Sequence, residues 1–336
     1  MASFSIELSP GGESFEADAG ETVLDAALRA GVALEYGCRH GNCSSCKYLL
    51  SDGDVDHGDA SIYSLSEEER DEGYALLCCA RPLGNLVVEA RQRTDARARP
   101  LLLPRELGAE LVSIERLTAN LWRFSLALSE PLVFYAGQFV ELTPPWANAR
   151  RSYSIASSPA RADTLDFIVK EVTGGAFSGG LASARIGDRF KLSGPYGASY
   201  LRDGHGPVVL CATGSGIAPI ASILDDAVAR RDPREFHFYY GARRAADVPA
   251  LPLIDHCNEA LGERFKFLPT LSAADAAWSG HSGRVTQLMQ REVGDAERCD
   301  AYLCGAPAMC DAVGTLLEAK GIREGHLFYD KFHAAL

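Results

Sequence analysis

The sequence predicts a multidomain α+β and α/β protein: a small β-grasp-like module, then an antiparallel β-barrel, then a doubly wound parallel sheet. Its 336 residues are too many for one ordinary core. The pattern also changes twice, first at the polar segment RQRTDARARP (91–100) and again at HGP (205–207). We therefore expect domains at 1–92, 105–203 and 204–336, with a linker at 93–104.

The first module opens with an alternating apolar pattern, FSIEL, which after two glycines predicts a hairpin of two strands. Thr22 then begins a segment with apolar residues at helical spacing, and Gly31 ends it. In SLSEEERDEG, Ser66 and Glu69 have the spacing of a capping box, and LVVEA reads as a last strand. Strands around one helix predict the β-grasp-like module.

The two following domains differ in how strands and helices alternate. Short strands separated by Gly and Pro turns indicate an antiparallel barrel, with strands LWRFSLAL, GQFVEL, TLDFIVKEV and DRFKLSG. Beyond residue 207, apolar strands interleave with amphipathic helices, which indicates a parallel doubly wound sheet. Its predicted strands are PVVLCA, EFHFYYGA, FKFLPTL and DAYLCGA, with helices IAPIASILDDAVARR and PAMCDAVGTLLEAKG.

Composition and charge narrow the class of protein. The chain is 47% hydrophobic and 23% charged, without a long apolar run or a signal-peptide pattern, so we expect a cytoplasmic protein with no membrane insertion. Residues 1–90 carry 17 Asp and Glu against 5 Lys and Arg, while the other 246 residues carry 28 of each. Such an acidic module repels nucleic acid and is suited to a basic protein surface.

Five cysteines in the first module form the strongest chemical signal. Cys38, Cys43 and Cys46 have the spacing C-x4-C-x2-C, which with a distant fourth cysteine is the plant-type arrangement for a [2Fe–2S] centre. Zinc is the alternative, although structural zinc sites usually pair their ligands in two short units. Either Cys78 or Cys79 is available as the fourth ligand.

The stretch GCRHGNCSSCKYLLSDGDV, together with RDEGYALLCCARP, resembles the ferredoxin module of oxygenase reductases. In the matching frame, L-x-C-x-A-x-P, the resemblance makes Cys78 the fourth ligand beside Cys38, Cys43 and Cys46. Adjacent residues of an extended segment face opposite ways, which also predicts that only one of Cys78 and Cys79 reaches the iron.

Two further segments resemble the flavin-binding part of the ferredoxin–NADP reductase superfamily. In RRSYSIASSP, the resemblance assigns Arg151 to the flavin pyrophosphate, Tyr153 to packing on the isoalloxazine and Ser154 to a catalytic hydrogen bond near N5. In TGGAFSGGLA, it assigns Gly175 and Ser178 to a second phosphate-binding turn.

The dinucleotide site is predicted where CATGSGIAP joins a strand to a helix, with Thr213, Gly214 and Gly216 at the pyrophosphate. The resemblance also places Cys304 beside the nicotinamide and flavin rings as a second catalytic residue, followed by Gly305.

Three more cofactor contacts are implied by the resemblance: Gly241 and Arg243 in HFYYGARR, and Phe332, which packs on the flavin, in FYDKF. The tip of the HFYYGA strand has no Asp or Glu to bind a ribose 2′-hydroxyl, and Arg243 and Arg244 suit a 2′-phosphate. The resemblance nevertheless favours NADH over NADPH.

The motifs of all three regions follow one another in the order expected for one family. The whole chain is similar to the reductases of bacterial multicomponent di-iron monooxygenases, of the methane and phenol hydroxylase kind. That similarity implies a [2Fe–2S] cluster, FAD and NADH, with hydride accepted by FAD and single electrons passed through the cluster to a hydroxylase docked on the acidic module. Alternatives with the same chemistry are the reductase of a Rieske dioxygenase or of a deoxysugar-forming dehydrase. A zinc-stabilised, non-enzymatic interaction protein is the alternative from another class.

Overall fold

A computed structural model describes residues 3–42, 44–89 and 97–332, and contacts within the chain divide it into two units, 1–104 and 105–336. The domain boundaries expected from the sequence stay predictions, and residues 93–96 of the expected linker lie outside the described residues. Across the described ranges, no helix is both long and apolar enough to cross a bilayer.

The first unit is a mixed sheet with a helix packed on one face. Its strands run in the order β2-β1-β7-β3-β5, where β1 and β7 are parallel and the other pairs are antiparallel. This arrangement confirms the β-grasp-like prediction. The elements are β1 (Ser3–Ser9), β2 (Glu13–Asp18), α1 (Val23–Ala30), β3 (Lys47–Asp52), β4 (Val55–Asp56), α2 (Glu67–Asp71), β5 (Tyr74–Leu76), β6 (Arg81–Pro82) and β7 (Leu86–Glu89).

Local capping chemistry sets the ends of both helices of this unit, as predicted. The Thr22 hydroxyl accepts a hydrogen bond from the backbone N–H of Asp25 at 3.1 Å, and Gly31 ends α1 with a φ of 79°. At α2, the Ser66 hydroxyl and the Glu69 carboxylate each accept the other residue's backbone N–H, which completes the capping box.

The second unit begins with a six-stranded antiparallel sheet in the order β11-β10-β13-β8-β9-β12. A bridge between Ile155 and Phe167 joins its two edges, so the sheet closes into the predicted barrel. Stacked phenylalanines, including Phe124 and Phe190, fill its interior. The strands are β8 (Arg105–Arg116), β9 (Leu121–Leu128), β10 (Phe139–Thr143), β11 (Arg151–Ser154), β12 (Thr164–Lys170) and β13 (Arg189–Tyr196).

The rest of the second unit is a parallel sheet in the order β17-β16-β15-β14-β18-β19, as the doubly wound prediction requires. The chain order reverses between β14 and β18, where such folds bind nucleotides. The elements are β14 (Val208–Thr213), α3 (Ile217–Ala229), β15 (Phe236–Ala242), α4 (Pro252–Leu261), β16 (Phe265–Leu271), β17 (His281–Ser282), α5 (Val285–Glu292), β18 (Asp300–Gly305), α6 (Pro307–Ala319) and β19 (Leu327–Lys331).

Polar contacts hold α3 against the barrel. The Asp225 carboxylate accepts the backbone N–H of Ser158 at 2.8 Å and lies 3.1 Å from the Arg161 guanidinium. The Ser222 hydroxyl donates to the backbone carbonyl of Ser157 at 2.7 Å. These contacts fix the barrel relative to the parallel sheet, because most of the groups involved are buried.

Candidate functional site

The loop between α1 and β3 carries the clustered cysteines and is shaped by left-handed backbone conformations. Gly41 has a φ of 70°, and Arg39 and Ser44 have φ of 61° and 56°. A Cβ at Gly41 would lie 2.8 Å from the Cys79 sulfur and 3.1 Å from the Ala60 Cα, so only glycine fits there. The loop therefore packs closely on the segments that contain Ala60 and Cys79.

Backbone amides of this loop donate hydrogen bonds to two cysteine sulfur atoms. The Cys38 sulfur accepts the N–H groups of His40 at 3.3 Å and Asn42 at 3.4 Å. Gly41 donates its N–H to the Cys78 sulfur. Such donors stabilise the negative charge of metal-bound thiolates. Of the predicted ligands, Cys43 lies outside the described residues.

Cys46 and Cys78 are brought together by the fold, since their thiols share a hydrogen bond that raises the pKa of Cys78. Among the described residues, no three His, Cys, Asp or Glu side chains form a metal-binding group. The donor chemistry still fits a [2Fe–2S] cluster. The thiols of Cys46 and Cys78 are adjacent, and the Cys38 sulfur accepts hydrogen bonds from two backbone amides. Cluster binding displaces the thiol protons.

Cys78 and Cys79 do not face opposite ways, contrary to the prediction. Residues 77–79 form a turn, and the sulfurs of Cys78 and Cys79 lie only 3.7 Å apart. Their surroundings differ instead. Cys78 contacts Cys46 and receives the Gly41 amide, whereas Cys79 is 8% exposed and packs beneath Gly41. These contacts favour Cys78 as the fourth ligand.

Strand β11 carries the three residues predicted for the flavin. Arg151 is exposed, and its guanidinium donates to the backbone carbonyl of Arg150 at 2.9 Å. The Tyr153 ring packs on Phe177, with centroids 4.4 Å apart. Ser154 is buried at the inner end of the strand. Alternation along β11 therefore separates an exposed cation from a buried hydroxyl.

The predicted second phosphate segment forms a tight turn that leads into a short 3-10 helix, Ser178–Ser183. The Ser178 hydroxyl is buried and accepts the backbone N–H of Val172 at 3.0 Å. A Cβ at Gly175 would lie 2.8 Å from that hydroxyl oxygen. Both predicted residues therefore build the turn itself, and its role in binding phosphate stays a prediction.

Trp146 is a neighbour of this turn that the sequence analysis missed. Its indole N–H donates to the Phe177 carbonyl at 3.0 Å, and a Cβ at Gly180 would lie 2.1 Å from its Nε1 atom. The indole also packs edge-on against Phe190 at 5.4 Å. Trp146 thus holds the turn through contacts that require glycine at position 180.

We expect Gly180→Ala to weaken FAD binding about tenfold, because the added methyl group displaces Trp146 and with it the turn. Gly179→Ala is the matched control, since a Cβ there meets no atom within 4 Å. Fluorescence titration of the two apoproteins with FAD measures the difference. Equal dissociation constants for the two variants would show that the packing of Trp146 on this turn does not affect FAD binding.

The predicted dinucleotide residues lie at the carboxyl end of the parallel sheet, where β14 and β18 meet. A Cβ at Gly216 would lie 2.1 Å from the Cys304 carbonyl oxygen, and one at Gly305 would lie 2.6 Å from the Thr213 hydroxyl oxygen. Thr213 also accepts the backbone N–H of Ala306 at 3.3 Å. The glycines therefore permit the close approach of the two strand ends.

A cleft of about 440 Å³ opens beside this point. Its walls come from the ends of β14, β15 and β16 and from the first turns of α5 and α6, as expected for a dinucleotide site. The predicted residues Thr213, Gly214, Gly241 and Arg243 line it.

The tip of β15 carries no acidic residue, as the sequence indicates, but an acidic residue follows it in the next turn. Asp247, five residues beyond the end of that strand, lines the same cleft as Arg243 and Arg284. Its carboxylate accepts the backbone N–H of Arg244 at 3.1 Å. The turn after β15 brings the acid back to the cleft, which the position of Asp247 in the sequence did not reveal.

Ser154 and Cys304 meet through a third residue, Asp330. The Ser154 hydroxyl donates to the Asp330 carboxylate at 2.9 Å, and Asp330 stands opposite Cys304 in the pairing of β18 with β19. Phe332 is the residue directly after β19, and its backbone N–H donates a hydrogen bond to the Gly305 carbonyl at 2.8 Å. Asp330 is thus the shared partner of the two residues predicted as catalytic.

Cys304 is 1% exposed, and burial together with the Asp330 charge raises the pKa of its thiol well above the usual value. We therefore expect native Cys304 to react with iodoacetamide about a hundredfold more slowly than unfolded Cys304 at about pH 8, because the thiolate is the nucleophile. Peptide mass spectrometry with and without urea measures this ratio. Equal labelling would contradict the buried, protonated state.

Three family models match the chain in succession. They are the 2Fe-2S iron-sulfur cluster binding domain over residues 6–83, the oxidoreductase FAD-binding domain over 108–200 and the oxidoreductase NAD-binding domain over 210–315. The three matches correspond to the acidic module, the barrel and the parallel sheet.

Curated relatives match over nearly the full length. The reductase component of phenol 2-monooxygenase from Pseudomonas sp. strain CF600 is 36% identical, over 99% of this chain and 95% of the relative. The reductase component of propane 2-monooxygenase from Gordonia sp. strain TY-5 is 35% identical, over 97% and 96%.

Solved structures show the same architecture. A cytochrome P450 reductase from Amycolatopsis superimposes with a TM-score of 0.87 at 34% identity, over 98% of both chains. A ferredoxin reductase of carbazole 1,9a-dioxygenase superimposes with a TM-score of 0.79 over 99% of both chains, and at 24% identity it shows the fold alone.

Proposed function

This chain belongs to the family of reductase components of bacterial multicomponent monooxygenases, and from that membership we propose how its residues carry electrons and which oxygenase they serve. The protein is an oxidoreductase with [2Fe–2S], FAD-binding and NAD-binding domains, which confirms the expected classes of cofactor. The observation that carries the proposal is the 36% identity to a phenol 2-monooxygenase reductase component over 99% of the chain.

FAD and the cluster, when bound, supply the conversion of one two-electron hydride into two single-electron transfers. The chain's own residues position these groups and exclude water. Ser154 is 7% exposed and Cys304 is 1% exposed, so these residues would keep water away from a flavin or nicotinamide ring held beside them.

The Ser154 hydroxyl and the Asp330 carboxylate form the polar pair of this pocket, at 2.9 Å. Because the Asp330 carboxylate accepts the hydrogen bond of the Ser154 hydroxyl, the hydroxyl oxygen would keep its lone pairs to accept from an N–H group of a bound flavin. Cys304 remains a protonated, apolar filler beside the ring. These roles make Ser154 a catalytic residue, Asp330 a positioning residue and Cys304 a packing contact.

Cys38, Cys43, Cys46 and Cys78 are proposed as the cluster ligands. The amides of His40, Gly41 and Asn42 donate to the described sulfurs and so stabilise the more negative, reduced charge state.

NADH is the proposed electron donor, because Asp247 lines the dinucleotide cleft with Arg243 and Arg284. A carboxylate at this position would accept a hydrogen bond from the ribose 2′-hydroxyl of NADH and would repel the 2′-phosphate of NADPH. Use of NADH also favours the cytoplasm as the compartment.

Asp247→Asn is expected to raise NADPH use relative to NADH about tenfold, since the amide keeps an oxygen for Arg244 but no longer repels a phosphate. The ratio of kcat/KM for the two nucleotides measures this, and Asp255→Asn on the exposed side of α4 is the control. An unchanged ratio in Asp247→Asn would mean that this acid does not select the nucleotide.

The proposed partner is the hydroxylase of a soluble di-iron monooxygenase, reached through the acidic first module. Curated relatives named as phenol and propane monooxygenase reductase components support it. A cytochrome P450 is the second candidate, because the Amycolatopsis structure named as a P450 reductase matches at 34% identity and a TM-score of 0.87.

Reconstitution distinguishes these partners. The holoprotein is mixed with NADH and, in turn, the oxygenase components of phenol 2-monooxygenase, propane 2-monooxygenase and the Amycolatopsis P450 system, with a Rieske dioxygenase as the outgroup. Product formation coupled to NADH oxidation with a di-iron component is the expected result. Coupling to the P450 or the Rieske enzyme alone would overturn the di-iron assignment.

A further inference from the structure

Two large apolar side chains stand exposed on the first unit, and together they are here termed the apolar tip: Ile62, 56% exposed, and Tyr63, 98% exposed. Tyrosine is a residue that protein interfaces favour at their centre, because it adds large contact area with few rotatable bonds. An exposed aromatic beside an exposed aliphatic therefore marks this loop as a contact surface.

The apolar tip is anchored on the cluster loop from both sides. Before it, the Ser61 N–H donates to the Gly41 carbonyl at 3.1 Å. After it, the Ser44 hydroxyl donates to the Ser64 carbonyl at 2.9 Å. Ser64 and the following Leu65 are buried. The tip is thus held against the loop that contains Cys38 and Cys46, and a protein seated on it lies beside the sulfurs.

Exposed acidic residues flank the apolar tip along the chain: Asp59, Glu67 and Glu68. Nearby cations have partners, since Lys47 pairs with Glu69 at 2.6 Å and Arg70 donates to the Ala60 carbonyl at 2.9 Å. An apolar centre with an acidic rim is complementary to an apolar recess with a basic rim. Residues 91–336 carry equal numbers of acidic and basic side chains, so charge favours a separate protein over this chain's own second unit.

We propose that the apolar tip is the contact on which the oxygenase component docks to receive each electron from the cluster. The occupant is a basic, one-electron-accepting protein whose recess covers Ile62 and Tyr63. This inference rests on the proposed function, since it names the surface that the proposed electron transfer uses.

The test uses the holoprotein and cytochrome c, a basic protein in which one electron reduces the haem from Fe(III) to Fe(II). Each NADH yields NAD⁺, one proton and two reduced cytochromes. Tyr63→Ser and Ile62→Ser are expected to lower kcat/KM for cytochrome c about tenfold and about threefold. Leu83→Ser is the control, because Leu83 is an equally apolar, 64% exposed residue of the same unit, and it should change kcat/KM less than about twofold.

Reduction of the bound cluster by NADH, followed by stopped flow without an acceptor, should be the same in wild type and all three variants. Unchanged kcat/KM in Tyr63→Ser would overturn the proposal. Slower reduction of its own cluster in Tyr63→Ser would also overturn it, because the occupant would then be the chain's own flavin-binding unit.

Failure of the proposed function is visible separately, as a lack of product when wild-type holoprotein is mixed with every oxygenase of the reconstitution panel. That result does not depend on the apolar tip. With an oxygenase that does couple, Tyr63→Ser should slow product formation about as much as it slows cytochrome c reduction, and an unaffected rate would again overturn the proposal.

Discussion

Cys78→Ser is expected to abolish the visible spectrum of the [2Fe–2S] cluster while flavin reduction by NADH survives. The physical reason is that Cys78 contacts Cys46 and receives the Gly41 amide, so the substitution removes the sulfur proposed as the fourth ligand. Iron content should fall from about two per chain to less than about a tenth of that. Reduction of cytochrome c should fall in proportion, whereas reduction of ferricyanide by the flavin should change less than about twofold.

Cys79→Ser is the matched control, one residue away and 3.7 Å from Cys78 by sulfur atoms. It should retain iron, because Cys79 is buried beneath Gly41 and its sulfur contact is with Cys78. Loss of the cluster in Cys79→Ser but not in Cys78→Ser would reverse the ligand assignment. Retention in both single variants, with loss only in the double variant, would show that the two thiols are interchangeable.

Ser154→Ala is expected to slow flavin reduction by NADH about tenfold to a hundredfold, with FAD content preserved. Its hydroxyl, 7% exposed, donates to the Asp330 carboxylate at 2.9 Å. Without this hydroxyl, the carboxylate loses a buried hydrogen-bond donor and the proposed flavin site loses a polar group. Stopped-flow absorbance after mixing with NADH measures the rate directly.

Ser129→Ala provides the control, because Ser129 is an exposed serine of the same barrel that lies just after β9. The effects of Ser154→Ala and Asp330→Ala should not add, since both remove one hydrogen bond. Additive losses would mean that the two residues act separately, and a wild-type rate in Ser154→Ala would remove this hydroxyl from the catalytic site.

Much of the fold follows from local patterns, because local chemistry decides it. The first helix begins after Thr22 and ends at Gly31, and Ser66 and Glu69 form the capping box of the second helix, as the sequence predicts. The sheet types also follow from the alternation of strands with turns or with helices. Strand β8 was missed, although Leu107, Ala109 and Leu111 alternate inward along it.

Several contacts of the candidate site join residues that are distant in sequence, so local patterns do not predict them. Ser154 and Asp330 are 176 residues apart in sequence, and their hydrogen bond depends on the pairing of β19 with β18 and on the packing of the barrel against the sheet. A turn after β15 places Asp247 in the lining of the dinucleotide cleft. Trp146 is distant in sequence from the turn before Ser178, yet it donates a hydrogen bond to the Phe177 carbonyl of that turn. The orientation of Cys78 and Cys79 was mispredicted because their segment is a turn and not a strand.

Coupled turnover tests the central claim most directly, namely that this chain carries electrons from NADH through its flavin and cluster to an oxygenase. The measurement is product formed per NADH consumed, with a di-iron oxygenase component and either wild-type or Cys78→Ser reductase. We predict product with the wild type and a loss of product, with flavin reduction intact, in Cys78→Ser. Equal product formation by both proteins would contradict the account, because the electrons would then bypass the cluster.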